Sequence, residues 1–199
     1  MLRLLNNPLI IFKKYGIEYT WMTLYVGRML GLVTNHDVEQ YATEYLIQNP
    51  ELTDMYVAEL AARTYADDYV VDDKLITVLR HFGCLIIKDS PQWNIEKRKW
   101  RYCILQNIAE VYVNECENLL QAFDDVYADF GYPEDMKPFS SFAEVPEDAK
   151  PVEDIKEYDK ELCGNILHYI ATEKGEIEKK NFLWPVSLIY YPIDNNDGV

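Results

Sequence analysis

The sequence lacks long apolar runs and is poor in basic residues, and each shortage excludes a class of protein. No stretch approaches the roughly 18 consecutive apolar residues of a membrane-spanning helix, so we expect no transmembrane segment. Lysine and arginine number 19 against 34 acidic residues, a net charge of −15, which disfavours nucleic acid and anionic membrane as partners. Because 49% of the residues are hydrophobic and 14% aromatic, a wholly disordered chain is excluded as well.

Cysteine is scarce and unclustered. The four cysteines form no CxxC pair, so we expect no zinc site and predict a protein of the reducing cytoplasm; they are Cys84, Cys103, Cys116 and Cys163. The N-terminal residues have a short apolar patch but no signal-peptide pattern, which fits the same location.

Catalytic and cofactor motifs are also missing. The sequence has no Walker loop, G-x-S-x-G, H-E-x-x-H or G-x-G-x-x-G motif. Asp125 and Asp129 lie one helical turn apart, but no Glu-x-x-His motif accompanies them, so we expect no metal. His168 and Cys163 could join a distant Asp in a catalytic set, but nothing orients such a trio. We therefore predict a protein without cofactors that is not an enzyme.

Helical patterns fill most of the chain, and residues 98–135 carry the strongest. Leu119, Phe123, Val126 and Phe130 recur at helical spacing, with acidic residues on the opposite side, and Gly131 and Pro133 follow. The helix upstream, through Trp100, has its own apolar stripe. We predict one all-α domain over residues 1–199, an irregular antiparallel bundle of about seven helices, with α-solenoid-like hairpins as the alternative.

Capping residues and helix breakers place the helix boundaries. We expect helices to begin after Thr20, after Thr34 with Asp37 in a capping box, after Asp54, at Asp72 or Asp73, at Asn94 or Ile95, at Glu115 or Cys116, and near Val152. The helix after Asp54 contains residues 55–62, and the other six are expected to end, in chain order, at Gly31, Asn49, Phe82-Gly83, Val113, Phe130 and Gly175.

Three segments have no clear periodic pattern. Residues 131–153 contain four prolines together with several apolar side chains, which predicts a long loop that packs on the helices. Residues 182–191 are apolar and could form a closing helix or an extended strap. Residues 195–199 form a polar tail.

Acidic residues concentrate in one part of the chain. Between Glu110 and Glu161 there are 16 acidic residues and four lysines, a net charge of −12. This distribution predicts either a solvated helix face or a docking surface for a cationic protein. For the docking surface the candidate protein-binding residues are Glu117, Asp124, Asp125, Asp129, Glu134 and Asp135.

The segment Val126–Glu134 reads Val-Tyr-Ala-Asp-Phe-Gly-Tyr-Pro-Glu. It resembles the Tyr-Ala-Asp-Phe-x-Tyr-Pro-Glu signature of an uncharacterised bacterial family, domain of unknown function 2247. Thr20-Trp21 and the helix leading into Gly31-Leu32 are similar to that family's N-terminal pattern, whereas the chain after Pro151 departs from it. The resemblance implies that the aromatic and proline residues of the signature form the turn after the helix.

The resemblance implies no activity, but small acidic helical proteins of this type look like bacterial immunity proteins. We therefore expect a non-catalytic protein that binds a basic partner, most concretely a toxin such as a nuclease. The alternatives are a small enzyme whose site is assembled from distant helices, and a scaffold or adaptor subunit. The sequence does not indicate an oligomeric state.

Overall fold

The computed structural model describes residues 8–51, 53–62, 67–84, 87–141 and 155–183, with side chains in the last range from 157 to 179. These residues form helices without any strand, which confirms the all-α prediction. The helices are α1 (Ile10–Tyr15), α2 (Trp21–Met29), α3 (Asn35–Gln48), α4 (Met55–Ala61), α5 (Asp68–His81), α6 (Pro91–Val111), α7 (Cys116–Asp129) and α8 (Ile155–Leu183), with one 3-10 turn at Lys137–Phe139. None of the helices in these ranges has the length and apolar character needed to cross a bilayer.

Contacts within the chain divide it into two compact units. Residues 2–97 together with residues 180–199 form one, here called the N-terminal unit, and Arg98–Lys179 forms the C-terminal unit. Helix α6 contributes residues 91–97 to the first unit and residues 98–111 to the second. The single domain expected from the sequence stays a prediction.

The capping box predicted at Thr34 and the helix start predicted at Asp54, both in the N-terminal unit, are confirmed. The amide of Thr34 donates to Asp37 Oδ2 at 2.7 Å, and the amide of Asp37 donates to Thr34 Oγ1 at 3.3 Å. Asp54 caps α4 by accepting from the amides of Tyr56 and Val57 at 2.9 and 3.0 Å. Each carboxylate satisfies amides that have no partner inside the helix, so these helices begin where the sequence places them.

Two predicted helix starts are wrong by three to five residues. Helix α5 begins at Asp68 instead of Asp72 or Asp73, because Asp67 accepts a hydrogen bond from the amide of Tyr69 at 2.9 Å. Helix α6 begins at Pro91 instead of Asn94 or Ile95. Its first residue is a proline, which has no N–H to leave unpaired, and Ser90 Oγ accepts from the amide of Trp93 at 3.2 Å.

Aromatic rings fill much of the N-terminal unit. The ring of Trp21 lies 4.6 Å from that of Tyr41 and 5.3 Å from that of Tyr45, and it stacks on that of Phe82 at 6.3 Å. Helix α3 packs on α4, α4 on α5 and α5 on α2. Trp21, Trp93 and Trp100 are buried. Trp184 and most of residues 182–191 lie outside the described residues, like the 195–199 tail.

Helix α7 supplies the core of the C-terminal unit. Its predicted apolar stripe is buried, with Leu119, Phe123, Val126 and Phe130 each at most 2% exposed. Only residues 131–141 of the Pro-rich loop are described, and Met136 within them is fully buried. This part of the loop therefore packs on the helices as predicted, and residues 142–153 lie outside the described residues.

Helix α8 continues past the predicted stop at Gly175. It extends to Leu183, and Ile177 beyond the glycine is 1% exposed, so the apolar stripe of the helix persists. A helical glycine costs about 1 kcal/mol relative to alanine, less than burial of one large aliphatic side chain contributes. The expected end at Gly175 is wrong for that reason.

A disulfide joins Cys116 at the start of α7 to Cys163 in α8, 47 residues apart in the sequence. The sequence pattern predicted reduced cysteines, so this bond was not expected. Cys103, in contrast, is a buried free thiol, and burial raises its pKa to about 12. Disulfides are rare in the cytoplasm, so the redox state of this pair is a test of the reducing location, which stays a prediction.

Candidate functional site

Three of the six predicted binding residues are exposed to solvent on the outer face of α7. Glu117, Asp125 and Asp129 are exposed, and at 100° per residue they fall within an arc of about 120° around the helix axis. The opposite side carries the buried apolar stripe, which fixes the orientation of the helix. The sequence pattern therefore places these carboxylates correctly on the solvent side.

The chain turns sharply after α7, where the family signature ends. Gly131 and Tyr132 both have positive φ, 78° and 57°, and the amide of Tyr132 donates to the carbonyl of Tyr127 at 2.9 Å. Phe130 is 2% exposed, whereas Tyr132 is 61% exposed and sets its ring edge-on to that of Tyr127. Glu134, just beyond this turn, is exposed to solvent.

Asp124 contacts the loop that follows. The amide of Ser141 donates to its Oδ1 at 3.1 Å, and the hydroxyl of Ser141 donates to its Oδ2. Asp124 is half-buried by this contact. Its carboxylate is therefore partly occupied in anchoring residue 141 to α7.

Asp135 is paired with arginine. Arg101 donates to both of its carboxylate oxygens, at 3.0 Å to Oδ1, and the hydroxyl of Tyr169 donates to Oδ2 at 3.0 Å. Burial favours the neutral acid, but the hydrogen bonds and charge of Arg101, with help from Tyr169 and Arg98, outweigh it and lower the pKa of Asp135 below 3.8. Asp135 thus ties residue 135 to α6 and α8.

The other half of this cluster was not predicted from the sequence. Glu173 is 2% exposed and accepts from Arg98 Nε at 2.5 Å, from Arg98 Nη2 at 2.6 Å and from Arg101 Nη2 at 3.1 Å. Arg101 Nε is buried without a hydrogen-bond partner among the described residues. The signal in the sequence was the presence of charged residues at positions of the apolar stripes of α6 and α8.

This Arg98–Arg101–Asp135–Glu173 cluster balances two positive charges against two negative ones. Its groups contact one another, so their main effect is to hold the loop and α8 to α6. The carboxylates of Glu117, Asp125, Asp129 and Glu134 differ, because within the described ranges no lysine or arginine pairs with them. They form the exposed part of the candidate surface, here called the acidic face.

The described residues hold no group of three or more His, Cys, Asp and Glu side chains that could bind a metal ion. His168 is exposed, and Cys163, the nucleophile of the imagined catalytic set, is in the disulfide. His81, the last residue of α5, contacts Asp54 Oδ2 through Nε2 at 2.9 Å. No arrangement for nucleophilic catalysis is therefore formed by these residues.

Comparison with known proteins identifies one relationship. The model of a family described as an uncharacterised protein conserved in bacteria, domain of unknown function 2247, matches residues 9–174. No curated protein and no solved structure matches the chain. The predicted family resemblance is thereby confirmed, and it carries no activity with it.

Proposed function

Because the chain belongs to this uncharacterised bacterial family, which prescribes no activity, we propose from its surface charge that it binds a basic protein partner without catalysing a reaction. The binding surface is the acidic face formed by Glu117, Asp125, Asp129 and Glu134. The most concrete form of this proposal is a cytoplasmic immunity protein that neutralises a basic bacterial toxin such as a nuclease.

The proposal rests on one observation: within the described residues, no lysine or arginine neutralises the charge of these carboxylates. Asp124 and Asp135 are occupied in loop contacts, whereas the other four predicted residues are exposed and make no ion pair with a lysine or arginine of the described residues. Like charges on one face repel one another, and a cationic surface would relieve that repulsion while steering association.

A nuclease fits this surface for a chemical reason. Nucleases bind phosphates through clustered Lys and Arg side chains, and a rigid row of carboxylates can take the place of the phosphate backbone. Three carboxylates on one helix are held at fixed spacing by the buried stripe beneath them. This preorganisation reduces the entropy lost on binding.

The test is a charge-neutralising variant of the acidic face, Glu117→Gln/Asp125→Asn/Asp129→Asn. Its matched control, Glu51→Gln/Asp73→Asn/Glu178→Gln, removes the same number of exposed charges elsewhere. The wild-type protein and both variants serve as bait at low salt in an extract of the source bacterium. A partner retained by the wild type and the control is then purified, and its association rate is measured over a salt series.

We expect the acidic-face variant to associate about tenfold more slowly at low ionic strength, with a flatter salt dependence, while the control behaves as the wild type. For an immunity protein, the partner expressed alone should arrest growth and co-expression should restore it. Equal association rates for the three proteins would reject the acidic face. A partner that alters a small molecule only in the presence of this protein would favour the enzyme alternative.

A further inference from the structure

The N-terminal unit contains an open cleft that the proposed function does not use. It has a volume of about 510 Å³ and lies between α1, residues 16–20 and α3. This volume is within the range of small-ligand sites, roughly 300–1,000 Å³. The side chains that determine its chemistry are Lys13, Glu18, Tyr19, Tyr41, Glu44 and Tyr45.

Tyrosine rings form much of the wall of this cleft, and their positions are fixed by packing. The rings of Tyr19 and Tyr41 are 5.7 Å apart and tilted by 50°, and those of Tyr41 and Tyr45 are 6.4 Å apart. Trp21 lies edge-on to Tyr41, and Phe12, which also lines the cleft, contacts Tyr19. The electron-rich faces of tyrosines attract cations, and contact with these buried rings limits the movement of Tyr19 and Tyr41.

The charge of the lining also favours a cation. Glu18 and Glu44 contribute two carboxylates, and Lys13 contributes one ammonium group. That ammonium already binds there: Lys13 Nζ donates to Glu44 Oε2 at 2.7 Å. The bond to Glu44 is the largest of the effects that together raise the pKa of Lys13; burial opposes the rise and Tyr19 supports it.

The ammonium group of Lys13 occupies a position that an external cation could take. Its side chain is 51% exposed and that of Glu44 is 45% exposed. Exchange of such an exposed pair for an external cation costs little, because surface ion pairs contribute weakly to stability. An incoming guanidinium could bind Glu44 through two parallel hydrogen bonds, which an ammonium cannot do.

We propose that this cleft binds a guanidinium or alkylammonium group together with its apolar stem. The stem lies against the tyrosine rings, and the cation replaces Lys13 at Glu44. The ligand is either an arginine or lysine side chain of a protein or a free amine, since both present the same chemistry. The site is separate from the acidic face and does not depend on it.

The experiment is an NMR titration of the full chain with three probes. N-acetyl-arginine-methylamide represents a protein side chain, agmatine represents a free amine, and N-acetyl-citrulline-methylamide is the uncharged isostere. We expect low-millimolar binding of the first two and at least tenfold weaker binding of the third, with shifts confined to residues of the cleft. The tighter of the two cationic probes identifies the source of the ligand.

Two substitutions give opposite results if the proposal is right. Lys13→Met removes the internal competitor and should tighten binding about twofold to fivefold, whereas Glu44→Gln should weaken it at least fivefold. Tyr19→Leu should weaken binding more than Tyr19→Phe, which keeps the ring and loses only the hydroxyl that interacts with Lys13. Glu51→Gln is the control outside the cleft and should bind as the wild type.

Three results would overturn the proposal. The first is equal binding of the citrulline probe, and the second is weaker binding by Lys13→Met, which would make Lys13 a ligand for anions. The third is that neither the wild type nor Lys13→Met binds the cationic probes at concentrations up to roughly 20 mM, about 20-fold above an expected dissociation constant of about 1 mM. A Glu44→Gln variant that keeps wild-type shifts without probe shows that its loss of binding does not come from misfolding.

Discussion

The two units of this protein use different interactions to hold their helices together. In the N-terminal unit, Trp21 is packed among tyrosine and phenylalanine rings, and the buried Arg28 pairs with Asp72, which is 31% exposed, and Asp68, which is 81% exposed. In the C-terminal unit, Arg101 and Glu173 are both nearly inaccessible, at 6% and 2% exposure, and a disulfide joins α7 to α8.

This difference determines how each unit responds to its surroundings. Packing of rings depends little on salt, acid or reductant, because it comes from burial of apolar area and ring geometry. Buried ion pairs and disulfides are sensitive to protonation, to loss of one partner and to redox conditions. We therefore expect perturbations of these kinds to affect residues 98–179 more than residues up to 97.

The largest effect should come from Glu173→Gln, which leaves two arginines facing one carboxylate. We expect the free energy of unfolding to fall by about 3 kcal/mol, because removal of one partner leaves a buried charge uncompensated. Urea unfolding followed by circular dichroism measures the loss. Glu178→Gln, the same change at an exposed position of the same helix, should be nearly neutral.

Hydrogen exchange of the Glu173→Gln variant tests the comparison itself. Amides of α7 and α8 should lose protection, while those of α2 to α5 should keep theirs, since local stability varies along a chain. An equal loss in both units would contradict the distinction.

An effect of comparable size is expected from removing the disulfide with Cys116→Ser/Cys163→Ser. The bond closes a loop over a sequence separation of 47 residues, and such a cross-link typically contributes about 2–4 kcal/mol. The melting temperature of this variant and that of the wild type in dithiothreitol should both fall by the same amount below that of the wild type without reductant. Cys84→Ser, which alters a free cysteine, is the control.

Alkylation of the unfolded protein under non-reducing conditions checks the bond directly. We expect modification of Cys84 and Cys103 alone, and of all four cysteines after reduction. Modification of all four without reductant, in protein isolated from its native cell, would show that the chain is reduced there and would support the cytoplasmic location.

The smallest effect concerns acid. The pKa of Asp135 is lower in the folded protein than its ordinary 3.8, so folding favours the ionised carboxylate. Its contribution to stability is therefore present above about pH 4 and is lost as the pH falls through the folded-state pKa. Asp135→Asn should flatten the decrease in stability below pH 4, whereas the neighbouring Glu134→Gln should not. Identical acid profiles for the two variants would rule out this role for Asp135.

Most of the fold was predictable because local chemistry determines it. The stripe around Phe123, the capping box of Thr34 and Asp37, and the cap at Asp54 are read from residue spacing alone, and all are present. The errors at α5, α6 and Gly175 arose where a different residue supplied the cap or where distant packing outweighed a glycine.

The candidate site was predictable in part for the same reason. Helical periodicity placed Glu117, Asp125 and Asp129 on the outer side of α7. It could not show that Asp135 contacts Arg101, because their contact depends on the path of a loop 34 residues away along the chain. The disulfide and the tyrosine cleft were missed because each joins residues far apart in sequence.

Helix α8 contains Gly164 and Gly175, and at both positions an added methyl group would meet no atom within 4 Å. Alanine would fit at both positions, and each glycine lowers the stability of the helix by about 1 kcal/mol relative to alanine. The two glycines lower the intrinsic helix propensity of α8, so its stability depends on burial of its apolar stripe and on its contacts with Arg98, Arg101 and Cys116. Detached from those neighbours, the same residues should sample coil in solution, so α8 is expected to gain its helical form late in folding.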